Sequence, residues 1–242
     1  MSHSPIALFA ASCFFVSTLS GSARAQDDMN APPIAWLNTG AVPLAQFDAQ
    51  KHPTSIALTI PAALVAALPE KRSEAVYLMS DAGFVQSANL QWHPMGHEPA
   101  HVYDVPHFDV HFYTITEAVR QSIVPGAAAG AVVPKDEYLP PNSLLVPGFV
   151  PGMGMHDVQK SQPEMSGGPF TVSPLIGYWN GEIAFFEVMF SKDWLQSKHS
   201  VVADFPQPVA VKERGYYPTK YRVSYDGAQD AYTVALTDFI SR

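Results

Sequence analysis

The chain has 242 residues, a formal net charge of −8, and 15% charged against 47% apolar side chains. That apolar content excludes a disordered chain, and an acidic balance without a Lys/Arg stripe excludes a nucleic-acid partner. Twenty-two prolines exclude a helical bundle, because proline breaks helix interiors and suits turns and strand edges.

The N-terminus reads as an address. Residues 6–21 are largely apolar and small, and Ala23-Arg24-Ala25 fits the small-x-small rule for signal peptidase. Residues 1–25 are therefore expected to be a cleaved signal peptide, with export to the periplasm or beyond. Cys13 lies inside it, and neither Ala10 nor Phe14 suits a lipidation site. The mature chain from Gln26 has 217 residues, 13 Lys and Arg against 22 Asp and Glu, and no cysteine. It can form no disulfide, and any metal site must use His, Asp and Glu. No other stretch approaches ~18 consecutive apolar residues, so no integral membrane segment is expected in the mature chain.

Residues 26–47 read as a leader and first strand, and residues 48–242 as a single β-rich domain. Strands are predicted over 34–38, 55–60, 75–80, 87–93 and 107–115. Pro61 opens a short helix to Leu68, and Thr116 caps another to Ile123. Residues 124–151 read as a long, proline-punctuated connection. Within it, 126–134 is uncharged and small, and a packed turn is favoured there over a mobile lid. Thr171–Trp179 and Glu182–Phe190 flank Asn180-Gly181, the preferred type I′ hairpin turn. A helical turn over 191–197 and strands over 208–213, 220–226 and 232–239 complete the chain, the last two paired around Asp226-Gly227. The fold class is mainly β with a few short helices, an α+β domain built on a compact antiparallel sheet or barrel-like arrangement.

Five of the eight histidines of the mature chain fall between His93 and Tyr113. In a strand, side chains alternate faces. Phe108, Val110 and Phe112 form an ordinary core face, whereas His107, Asp109, His111 and Tyr113 occupy the other. His107 and His111 stand ~13 Å apart at Cα in an extended strand, so sharing one ion needs long side chains or a bend. Downstream, Gly152-Met153-Gly154-Met155-His156 brings glycines before a histidine. Glu187 sits in a strand that is apolar on both faces, with Ile183, Phe185 and Met189 on its own face. A buried carboxylate there needs a cationic partner.

These residues define one candidate metal centre of His107, His111, His156 and Glu187, with His97 as a further ligand. Zn²⁺ suits it first, with Fe²⁺ or Mn²⁺ as alternatives. Asp109, Tyr113 and Glu187 are the candidate catalytic groups for acid–base work.

Three segments carry a resemblance. His93-Pro-x-Gly-His97-Glu-Pro leads into Tyr103-Asp-x-Pro-His107-Phe-Asp109-x-His111-Phe-Tyr113. Gly152-Met-Gly-x-His156 and Gly177-Tyr-Trp-Asn-Gly181 with the downstream Glu follow. The chain resembles, over roughly 48–239, a set of exported bacterial proteins grouped as a domain of unknown function. The resemblance implies export, a β-rich domain and a His-rich site at His97, His107, His111, His156 and Glu187; it supplies no reaction. Cupins also set His and Glu on strands, but through His-x-His with a nearby Glu, so that likeness is an analogy only.

Three functions follow as expectations. One is a metal-dependent enzyme acting on a small molecule. The second is a non-catalytic metal- or ligand-binding envelope protein. The third is a structural protein whose histidines are merely hydrogen-bonded. An exposed apolar edge in so weakly charged a chain also favours a homo-oligomer.

Overall fold

The computed structural model describes residues 33–79 and 82–242. The expected signal peptide with Cys13, most of the leader and Ser80 lie outside the described residues.

Two open sheets make the architecture. The larger has eight strands in the order β1 (Ile34–Ala35), β4 (Ser73–Leu78), β5 (Ser87–His93), β6 (His107–Tyr113), β10 (Glu182–Ser191), β9 (Val172–Trp179), β8 (Met155–Gln159) and β7 (Ser143–Leu145). The smaller has five, in the order β11 (Val201–Asp204), β12 (Tyr216–Asp226), β13 (Ala231–Ser241), β3 (Pro53–Pro61) and β2 (Val42–Phe47). All pairings are antiparallel except β1 with β4. The mainly β class holds. Among the described residues the strands form two sheets rather than one, and neither closes into a barrel.

The main core joins the two sheets. Ile56, Leu58 and Ile60 of β3, with Val234 and Leu236 of β13, pack in one cluster with Leu90, Phe108, Val110, Phe112, Val188 and Phe190. One face of β5, β6 and β10, including Leu90, Phe108, Val110, Phe112, Val188 and Phe190, thus turns inward, and the alternate residues turn away from the smaller sheet. That second face is not exposed. Loops fold over it and bury a second cluster containing Tyr103, Tyr113, Met153, Phe170, Leu175, Phe185 and Met189. β5 and β6 are consequently buried at every position, the pattern of strands covered on both sides.

Local chemistry explains most elements. Asn180 and Gly181 both have positive φ, 53° and 74°, as a type I′ turn requires, and they join β9 to β10. The helices are α1 (Ala62–Ala66), α2 (Glu117–Gln121) and α3 (Lys192–Gln196). The Thr116 hydroxyl accepts the Val119 N–H and caps α2; Ser191 does the same for Trp194 in α3.

The departures are instructive. Residues 208–213 form no strand: Pro208 has no N–H to give a ladder, and Ala210 instead bonds the Glu137 carbonyl. The edge of the smaller sheet is β11, which lies earlier in the chain. β2, β7 and β8 also arise where no strand was expected. A bulge between Ile183 and Phe185 breaks the simple alternation of β10. Ile183 packs with the inter-sheet core, while Phe185, Glu187 and Met189 share the other face. Within 126–134, residues Ala128–Ala131 form a short, largely exposed 3₁₀ turn held against Phe149 at Gly130. A Cβ on Gly130 would lie 2.3 Å from the Phe149 ring.

Candidate metal centre

The covered face of the larger sheet carries the chemistry. Antiparallel register sets His93 opposite His107, Gln91 opposite Asp109 and Asn89 opposite His111 across β5 and β6. On the other side of β6, His111 lies opposite Glu187. Two strands further on, His156 of β8 lies opposite Gly177 of β9. Gly177 leaves room for the Phe185 ring, which packs edge-on against both His111 and His156.

Two groups of donors result, not one. The first comprises His93, His97, His107 and Asp109; the second comprises His111, His156 and Glu187. Within each group, one donor atom per residue lies within 4.8 Å of all the others. The expected centre is thereby divided. His107 does not join His111, His156 and Glu187. The separation of His107 and His111 along an extended strand lets each imidazole take its own carboxylate.

In the first group, Asp109 is central. His93 Nε2 stands 2.9 Å and His97 Nε2 3.4 Å from Asp109 Oδ2, and His107 Nε2 stands 3.2 Å from Oδ1. The far nitrogens of two rings are committed: Nδ1 of His107 donates to the Val105 carbonyl and Nδ1 of His97 to the Glu98 carbonyl, both at 2.7 Å. A carbonyl only accepts, so these bonds fix the tautomer and leave each Nε2 lone pair facing Asp109. Lone pair against carboxylate is favourable only with a cation between them, either a proton or a metal ion. His97 reaches this place from the loop between β5 and β6. Gly96 (φ 70°) permits the loop's return, since a Cβ there would lie 2.2 Å from the Tyr103 carbonyl oxygen.

In the second group, Glu187 Oε2 lies 3.3 Å from His111 Nε2 and 3.8 Å from His156 Nε2. His111, His107 and His93 are fully buried, and Asp109 and Glu187 are 2% and 1% exposed. Buried polar atoms without hydrogen-bond partners concentrate here: both amide atoms of Asn89, both ring nitrogens of His111, His107 Nε2, Asp109 Oδ1 and Glu187 Oε2. Such atoms are costly unless a bound group satisfies them.

Electrostatics separates the groups further. Burial pushes His93 down to about 3, against the pull of Asp109. Burial likewise lowers His111 to about 4, and burial with the nearby His111 and His97 lowers His156 to about 3. Burial also opposes charge on His97, but the hydrogen bond and charge of Asp109 outweigh it and raise that pKa. Asp109, although buried, is held well below the usual carboxylate range by His93 and His107. Glu187 is pushed well above that range by burial and by the charge of Asp109.

Both groups border one cavity of about 300 Å³. His97, Asp109, His156 and Glu187 contribute its polar end, and Val146, Phe149, Val150, Met153, Leu175 and Met189 line the rest. Tyr113 does not reach it. Its hydroxyl donates to the Gly152 carbonyl at 3.2 Å, and its ring stacks on His111. Asp109, expected as an acid–base group, is the shared neighbour of three imidazoles. His93 was missing from the expected set. The signal was present in the alternation of 87–93, where Ser87, Asn89, Gln91 and His93 share one face.

No protein-family model, curated protein or solved structure matches the chain. Among the described residues, no helix is long and apolar enough to cross a membrane.

Proposed function

We propose that this is an exported metalloprotein. It holds a divalent ion at His93, His97, His107 and Asp109 and handles a small molecule in the adjoining cavity. The single observation that carries this reading is the convergence of three imidazole Nε2 atoms on the Asp109 carboxylate, two of them with their other nitrogen already spent on a carbonyl. Three nitrogens and one oxygen suit Zn²⁺ in a tetrahedral shell, with Fe²⁺ or Mn²⁺ as the alternatives. A four-donor shell favours a binding or stabilising role for this ion.

The test is metal analysis of protein purified without a His tag or chelator. Metal bound at the Asp109 group, with a higher unfolding temperature when Zn²⁺ is restored to stripped protein, supports the reading. Metal-free protein whose unfolding temperature does not respond to Zn²⁺, Mn²⁺ or Fe²⁺ overturns it.

A further inference from the structure

We infer that His111, His156 and Glu187 form a second, coordinatively open metal site. Its free position takes the carboxylate of a small ligand with an apolar body. The inference shares the cavity of the reading above but not its ligands, so the two can fail separately.

Four observations support it. Three donors converge within 4.8 Å from three different strands, β6, β8 and β10. Their atoms are left over by the protein: neither ring nitrogen of His111 has a hydrogen-bond partner, nor has Glu187 Oε2. Three protein donors leave a tetrahedral ion one position short, the arrangement that separates an open site from a closed one.

The fourth observation gives the direction of that open position and the ligand class. His111 lies behind the site, whereas His156 and Glu187 line the cavity, so the position faces the cavity. Among the described residues, no Lys or Arg lines that cavity, and the charged side chains there are the carboxylates Glu98, Asp109 and Glu187 besides two histidines. In so acidic a lining, an ion held by His111, His156 and Glu187 supplies the positive charge that an anion needs. Beyond the ion the wall is apolar, with Val146, Phe149, Val150, Met153 and Leu175 placed to receive a hydrocarbon body. The cavity volume of about 300 Å³ admits a short-chain acid. The two ion positions lie on neighbouring rows of one strand: Asp109 and His111 are two residues apart on the same face, about 7 Å in an extended strand.

The experiment is a Co²⁺ titration of stripped full-length mature protein, following visible absorption and bound metal, with hexanoate then added as the probe. Two equivalents are expected for the wild type. One is expected for His156→Ala, whose side chain is at the cavity wall and 18% exposed. Glu187→Gln should match it if it folds; His156→Ala carries the test if it does not. His93→Ala should lose the other equivalent and keep this one. Hexanoate should shift the visible band of the wild type and of His93→Ala, and hexanol should not. A single equivalent unaffected by His156→Ala overturns the second site and leaves the first reading standing. A single equivalent lost in His156→Ala but kept in His93→Ala supports the second site and overturns the first. Two equivalents without a hexanoate response overturn the ligand class.

Discussion

Asp109 is the residue on which the first group depends. Replacing it by alanine leaves the buried imidazoles of His93 and His107 and the half-buried one of His97 without their common carboxylate. Asp109→Ala should lose the metal of the first group, weakening affinity on the order of 100-fold or more, as measured by competition with a chelating dye. A second buried acid gives a pH test away from the ligands. Glu164 is 3% exposed, and one of its carboxylate oxygens lacks a partner. Burial raises its pKa, and the Ser173 hydrogen bond offsets this only in part. The fold therefore prefers the protonated acid. Its contribution is full below the unfolded-state pKa and is lost as pH rises through the raised folded value. Glu164→Gln should match wild type in unfolding temperature near pH 4 and exceed it at pH 8. Thermal unfolding of stripped protein at both pH values checks the sign.

Between residue and fold, α2 acts as a clamp on the covered face. Arg120 is 8% exposed. It bonds Glu117 within the helix, Glu74 on β4 at 3.0 Å, and the Gly152 carbonyl at 3.3 Å. Glu74 in turn accepts from Gln91, whose carbonyl oxygen lies 3.2 Å from His93 Nε2. A chain of polar contacts thus runs from the helix to the first metal group. Removing one partner of a largely buried ion pair costs about 3–5 kcal/mol, because the other charge is left behind. Arg120→Met should destabilise the protein by about 3 kcal/mol in urea unfolding. It was the Thr116 cap and the apolar–polar alternation that made α2 and β6 readable. Both are local properties, fixed by backbone hydrogen bonding at the cap and by the period-two alternation of side chains along a strand. β2, β7 and β11 were not readable, because short edge strands exist only through the neighbour that pairs with them, and the five-residue β8 is likewise defined by its pairing with β9 and β7.

At the scale of the whole molecule, the protein has one apolar core between two sheets and, beneath a cover of loops, a second apolar cluster that carries the two polar groups. Their stabilities should differ in kind. The inter-sheet core needs no ion, whereas the 94–106 segment carries His97 and the 146–156 segment ends on His156 of β8, so both border the metal groups. Chelation should therefore lower the unfolding temperature and increase hydrogen exchange in those two segments, with the exchange of β3, β6 and β13 little changed. Restoring metal at 100 times its dissociation constant should return about 2.7 kcal/mol for one site. Far-ultraviolet circular dichroism should stay that of a β protein throughout.

The sequence by itself determined that this is a β protein with a polar stripe on β6, and that Glu187 needs a partner. Those conclusions rest on period-two alternation and on the cost of burying charge. Only the tertiary structure decided which partners meet. Strand register placed His93 across from His107, and a glycine at 96 returned His97 to Asp109. The same register placed His111 across from Glu187, with His156 brought in from β8. Alternation tells which face a side chain takes, but pairing between distant strands tells which atoms converge, and that pairing has no local code. One expected centre became two groups for this reason.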